Sequence, residues 1–202
     1  MTPDHPEAAP LHRQVEYLQQ ALKQSALVGA ALAAGRALCL PDWYLGAGAV
    51  AQTVWNLRHH FEPEYGINDV DLVYFDGADL SIDSEARTQD DVVRHLRNAF
   101  NLDVTVDVKN QARVHLWYAD RFGRAIEAYR STEEAIATWP TTASSVGVRE
   151  DDEGLAVCAP FGLSDLLGMV VRPNKSIVTR AVYEKKTTRW TALWPQLRVI
   201  PW

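Results

Sequence analysis

The chain has 202 residues, 47% hydrophobic and 23% charged, a balance that excludes a disordered or fibrous protein and allows a sizeable core. Its formal net charge of −6 argues against long nucleic acid as a general partner, because an acidic surface repels the phosphate backbone.

The first ten residues are acidic and proline-rich, where a secretory leader would be basic and then apolar, so they read as a frayed arm. A helix is expected from about Leu11 to Ala34, with Val15, Leu18 and Leu22 on one stripe and Gly35 as its stop. The longest apolar stretch, Ala26 to Cys39, is interrupted by Gly29, Gly35 and Arg36 and cannot span a membrane. Cys39 and Cys158 show no metal or redox spacing, which fits a reduced, cytoplasmic setting without disulfides. Residues 1–42 thus form an arm and helix.

Trp43 to Leu45 reads as a short strand, Gly46-Ala47-Gly48 as a turn, and Ala49 to His60 as a helix. Val70 to Phe75 is rich in β-formers, and a helix is expected from about Ser84 to Phe100 on the stripe Val92, Val93, Leu96 and Phe100. Asp103 to Val108 alternates strictly: three valines face one way, and Asp103, Thr105 and Asp107 the other. Asn110 can cap a helix carrying Val114, Trp117, Tyr118 and Phe122, although Val114, Leu116 and Tyr118 would also align on a strand. These elements make up a core over residues 43–130.

In residues 131–202, Ser131 to Glu134 reads as a capping box for a helix that Pro140 ends. Val146–Arg149 and Leu155–Cys158 form paired short strands, and two helices follow near Ser164–Val171 and Ser176–Thr188. Four of the seven tryptophans fall after residue 138, so this part is expected to pack its own aromatic layer.

The chemistry concentrates in a strand, a glycine turn, a helix, and a strand bearing Asp-x-Asp. Asp69 and Asp71 are two apart on an extended segment, so both carboxylates leave one face. Such a pair repels itself unless a cation lies between, and hard divalent ions such as Mg²⁺ or Mn²⁺ take oxygen ligands in this way. A third acid would complete a two-ion site. Asp107 is preferred over Asp103 because valines bracket it and Lys109 follows, whereas Asp103 stands at a strand entrance. Gly46 and Gly48 let backbone approach a ligand, and the helix from Ala49 points N–H groups at phosphate. Lys185 and Arg189, with Lys186 between them, lie in a basic segment from Arg172 to Arg189 that opposes eight acids in residues 69–91; they are candidate phosphate contacts. Trp190 or Tyr183 could stack on a base, though core packing is the plainer reading. His59 and His60 point about 100° apart on a helix and do not suggest zinc. His115 more often satisfies a local hydrogen bond than acts as a base.

The runs WYLGAGAVAQTVWN, INDVDLVYFD and VTVDVKN resemble the polymerase-β-type nucleotidyltransferase core, shared by aminoglycoside and lincosamide nucleotidyltransferases. From Trp43 to Trp202 the chain is similar to a bacterial nucleotidyltransferase family within that superfamily. The segments VDVKNQARVHLWY, WPTTASSVGVR, APFGLSDL and VRPN carry the closer likeness. The resemblance implies an α+β fold, a nucleotidyltransferase-type mixed sheet flanked by helices, with a mixed helical and short-strand C-terminal part. It also implies Asp69, Asp71 and Asp107 as metal ligands, and transfer of a nucleoside monophosphate from a nucleoside triphosphate to a hydroxyl acceptor of unidentified class. One departure is the turn itself: Gly-Ala-Gly-Ala replaces Gly-Gly or Gly-Ser, removing a hydroxyl that would face phosphate. That departure motivates an alternative, a non-catalytic nucleotide- or partner-binding descendant; a transfer-RNA-modifying enzyme is a third reading that the net charge disfavours.

Overall fold

A computed structural model describes residues 5–100 and 105–202, and among them no helix is long and apolar enough to cross a membrane. The expected first helix is two. Helix α1, Leu11–Leu22, buries Tyr17, Leu18, Ala21 and Leu22. Helix α2, Ala26–Ala37, starts afresh because the Ser25 hydroxyl accepts the Val28 N–H at 3.2 Å, a cap that competes with continuing the helix. Gly35 does not stop a helix; it is buried inside α2, where a Cβ would lie 2.5 Å from the Trp43 ring.

Strand β1, Tyr44–Gly46, leads directly into α3, Ala47–His59, so the helix begins within the expected glycine turn. Strand β2 is Asp69–Tyr74, α4 is Ile82–Phe100 and β3 is Thr105–Asn110. Asp103 and the expected start of β3 lie outside the described residues. A 3-10 turn, Gln111–Arg113, precedes α5, Val114–Phe122, so the helical reading of that segment holds. The Asn110 side chain accepts the Ala112 N–H, which is the anticipated cap.

Helix α6, Thr132–Ile136, is capped by Ser131, which accepts the Glu134 N–H. Strands β4, Gly147–Asp151, and β5, Gly154–Cys158, form the expected antiparallel pair. Helix α7, Ser164–Leu167, is shorter than expected: Gly168 and a left-handed Met169 (φ 54°) end it, and Val170–Val171 extends as β6. Helix α8, Arg180–Leu193, begins later than expected, where Thr179 accepts the Val182 N–H. Strand β7, Arg198–Val199, pairs with β6 in parallel.

The main sheet has the order β3-β2-β1-β4-β5, parallel only between β2 and β3. The C-terminal hairpin therefore extends the same sheet as β1 to β3. One face buries Leu45, Val70, Leu72, Val106, Val108 and Val148 in the main core, alongside residues of α1 to α4. The opposite face carries Tyr44 and Val73, packed with Ile136 and Trp139, and the carboxylates.

The C-terminal tryptophans do not form a layer of their own. Trp190 and Trp194 pack edge-on against Trp55 of α3, with ring centroids 5.0 and 5.6 Å away. Asn56 fixes this junction. Its amide donates to the Pro63 and Tyr65 carbonyls and accepts the Trp194 indole N–H at 2.7 Å, with no exposure to solvent. His59 is structural too: Nε2 accepts the Gln196 N–H, so Nδ1 donates to the Trp55 carbonyl. Asn56→Ala strands a buried indole donor and removes the partner of two partly buried carbonyls. Urea unfolding is expected to show a loss of about 2–4 kcal/mol; a loss near zero contradicts this role for Asn56.

Candidate active site

The β2–β3 ladder brings the predicted acids together. Asp71 pairs in register with Asp107 and, on its other side, with Gly46. Side chains alternate along both strands: Val70, Leu72, Val106 and Val108 are buried, while Asp69, Asp71, Asp107 and Lys109 are partly exposed on the other face. The three carboxylates so share one face of adjacent strands. Asp107 is paired with Lys109, two residues on, at 2.6 Å.

The Asp71 carboxyl is strongly perturbed. Burial pushes its carboxyl up to about 6; the neighbouring Asp69 and Asp107 charges add to this, while Lys186 and a hydrogen bond from the Gly48 N–H oppose it. Lys186, from α8, is the matching cation. Burial lowers its pKa, the Asp71 and Asp69 charges act the other way, and its ammonium lies 5.0 Å from the centre of the Trp190 ring.

The phase of α8 selects Lys186 over its neighbours. Tyr183, Thr187 and Trp190 form the buried stripe, and Lys186 stands three residues after Tyr183 and four before Trp190. Lys185 and Arg189 are exposed, and neither lines the cleft described below. That spacing was the signal in the sequence that singles out Lys186. Tyr183 and Trp190 are core residues: the Tyr183 hydroxyl donates to the Val171 and Ile200 carbonyls. His115 does not line the cleft.

The glycines at the turn have packing reasons. A Cβ on Gly46 would lie 2.3 Å from the Trp139 ring, so that ring occupies the space a side chain would fill. A Cβ on Gly48 would meet the Gln52 amide at 2.9 Å, with Asp71 Oδ2 at 3.8 Å. Ala47 takes a left-handed conformation (φ 49°), which costs an alanine roughly 1–2 kcal/mol, and it lines the cleft. The Ala49 side chain is fully buried, so what it can offer a ligand is its backbone N–H. Gly46, at the N-cap of α3, offers no capping side chain; the Ala47 N–H bonds the Val146 carbonyl and the Gly48 N–H donates to Asp71, so the first turn of the helix lies beside that carboxylate.

A cleft of about 280 Å³ opens from this constellation. Asp71, Asp107, Lys109 and Lys186 line it together with the rings of Trp117, Tyr118, Phe122, Tyr129 and Trp139, and Gln111, Thr138 and Thr179 add polar groups.

The acids suit a divalent cation by chemistry: all are oxygen donors, and the Asp69 and Asp107 charges add a negative potential at Asp71. Among the described residues, no three His, Cys, Asp or Glu side chains converge closely enough to hold an ion as they stand. Lys109 and Lys186 meet the negative charge instead.

Because the folded-state pKa of Asp71 exceeds that of an unfolded aspartate (about 3.9), ionising it costs the folded chain. The contribution is fully present below about pH 4 and is lost as pH rises through about 6. In the absence of divalent ions, Asp71→Asn is expected to stabilise the protein at pH 7.5 by about 2 kcal/mol, allowing for solvent at a partly exposed site, and to change little at pH 4. Denaturant unfolding at both pH values checks this, and equal effects at both contradict it.

Comparison with known proteins agrees with this geometry. No curated protein matches the chain significantly. A solved structure, described as an NMR structure that reveals a CCA-adding enzyme head domain, superposes with a TM-score of 0.72 at 26% identity, over 92% of this chain and 95% of that one. A family described as nucleotidyltransferase matches residues 33–199. The chain belongs to this nucleotidyltransferase family, and its helix-flanked mixed sheet is a nucleotidyltransferase fold.

Proposed function

We propose that the protein is a metal-dependent enzyme of the cytoplasm that transfers a nucleoside monophosphate from a nucleoside triphosphate to a hydroxyl acceptor. The observation that carries this reading is the register pairing of Asp71 with Asp107, beside the start of α3. Asp69, Asp71 and Asp107 would hold Mg²⁺ or Mn²⁺, which supplies neutralisation of phosphate charge and acidifies a hydroxyl.

The chain's own groups do the rest. The first turn of α3 would offer a phosphate oriented backbone donors, the Ala49 N–H among them, beside the Gly48 N–H that Asp71 accepts. Lys186 adds a cation on the same side, and Arg189 lies near enough to lower its pKa. Asp107 stands on the far strand, where it accepts the proton of the acceptor hydroxyl. The acceptor oxygen then bonds to the α-phosphorus, the bond from that phosphorus to the oxygen bridging to the β-phosphorus breaks, and pyrophosphate leaves.

A second reading is favoured by one observation: Ala47 offers no hydroxyl to phosphate. On that reading the chain binds nucleotide without turnover. Incubation with labelled triphosphates, Mg²⁺ and candidate alcohols separates the two. The wild type is expected to release pyrophosphate, with Asp71→Asn and Asp107→Asn slower by roughly 100-fold or more. Equal release in all three proteins removes the catalytic assignment; nucleotide binding that ignores the metal and yields no pyrophosphate establishes the second reading.

A further inference from the structure

The aromatic end of the cleft is built largely on the stretch of chain that follows Asp107. Strand β3 passes through a three-residue 3-10 turn into α5, so the acid assigned to the acceptor proton and the rings of Trp117, Tyr118 and Phe122 belong to one continuous segment. The groups assigned to phosphate, the start of α3 and Lys186, come from other elements and stand with Asp71. Resting on the nucleotidyl-transfer reading, this places the acceptor, and not the triphosphate tail, against α5.

The chemistry of that end is apolar. The Tyr118 and Phe122 rings lie 4.6 Å apart, tilted by 40°, and Trp117 lies 6.1 Å from Tyr118. Both tyrosine hydroxyls are already engaged: Tyr118 donates to the Ile177 carbonyl at 3.1 Å, and Tyr129 bonds Thr138 at 2.7 Å. The two tyrosines therefore bring mainly ring surface to the cleft, and Gln111, Thr138 and Thr179 are the uncharged polar side chains beside them. The nearby arginines are outside the lining: Arg121 stacks over Phe122 at 5.7 Å, and Arg124 acts on Tyr118 only through its charge, both from exposed positions. Phe122 is 37% exposed, an apolar ring left open at the mouth. The volume is at the small end of the roughly 300–1,000 Å³ typical of small-molecule sites.

We propose that the acceptor is a small, uncharged, planar alcohol whose ring body lies against Trp117, Tyr118 and Phe122 and whose hydroxyl reaches Asp107. A sugar-like polyol would find few polar partners among these rings, Gln111 and Thr179 being the main ones, and its unmet hydroxyls weigh against binding. A polynucleotide would need basic lining that the aromatic end lacks. In the transfer, the alcohol oxygen bonds to the α-phosphorus, its proton passes to Asp107, and pyrophosphate departs.

The test uses 2-naphthol as the probe and the full chain. Ligand NMR without metal or nucleotide is expected to show saturable binding that is insensitive to salt. Affinity should fall about tenfold in Trp117→Ala and in Phe122→Ala, the scale of one lost stacking contact; Phe122, at the mouth, is the variant least prone to folding failure. Binding should persist when Mg²⁺ and a non-hydrolysable triphosphate are added, with triphosphate binding followed by phosphorus NMR in the same tube. Absent binding, or unchanged affinity in both variants, overturns the proposal. Displacement of naphthol by triphosphate assigns this end to the nucleobase and overturns it as well. So does salt-sensitive binding of a single-stranded oligonucleotide that Trp117→Ala abolishes. Naphthol binding retained with no triphosphate binding instead overturns the nucleotidyl-transfer reading, and with it the role of acceptor, while the pocket for planar rings stands.

Discussion

The parallel pairing of β2 with β3 is the constraint on which the site depends. Both strands alternate valine or leucine with polar residues, the acids among them, and the apolar set is buried against the helices. A slip of one residue in either strand would drive carboxylates into that core and expose Val106 and Val108, so burial holds the register firmly. Convergence of Asp71 on Asp107 is therefore a by-product of core packing. Helix α4 makes the crossover that parallel pairing requires, and its Glu85 helps secure the end of β3 by accepting the Asn110 N–H at 2.8 Å.

Placing three carboxylates together costs free energy, and the fold offsets it from distant parts of the chain. Lys109 comes from the same strand; Lys186 comes from α8, far along the sequence. What carries α8 to that position is the junction of Trp190 and Trp194 with Trp55, fixed by Asn56. The C-terminal part is thereby tied to the carboxylate face twice, through α8 and through the β4–β5 hairpin that extends the sheet beyond β1. Trp139 adds a third tie, filling the space beside Gly46.

Much of this was legible in the sequence where one period dominates. The two-residue alternation of Val70 to Tyr74 and of Val106 to Asn110 displays both the strands and their acidic face. Ser131 and Asn110 announced their caps because a side-chain cap needs only local residues. What sequence did not reveal depends on tertiary packing. Gly35 looks like a helix stop until Trp43 is seen lying on it. Gly46 and Gly48 look like openings for a ligand, yet a tryptophan ring and a glutamine amide crowd them. Lys185, Lys186 and Arg189 are equivalent as a charge run, and only the phase of the buried stripe separates them. The aromatic cleft draws on α5, on Tyr129 and on the segment before α8, so no single window of sequence contains it.

The central claim is that Asp69, Asp71 and Asp107 act together on a cation. Titration with Mn²⁺, read residue by residue through paramagnetic broadening of backbone amide signals, tests it most directly. Broadening is predicted to begin at residues 69–71, 107 and 48, and to disappear from all of them together in Asp71→Asn. Broadening confined to the exposed acids of the loop and helix after β2, with residue 107 unaffected, would contradict the account.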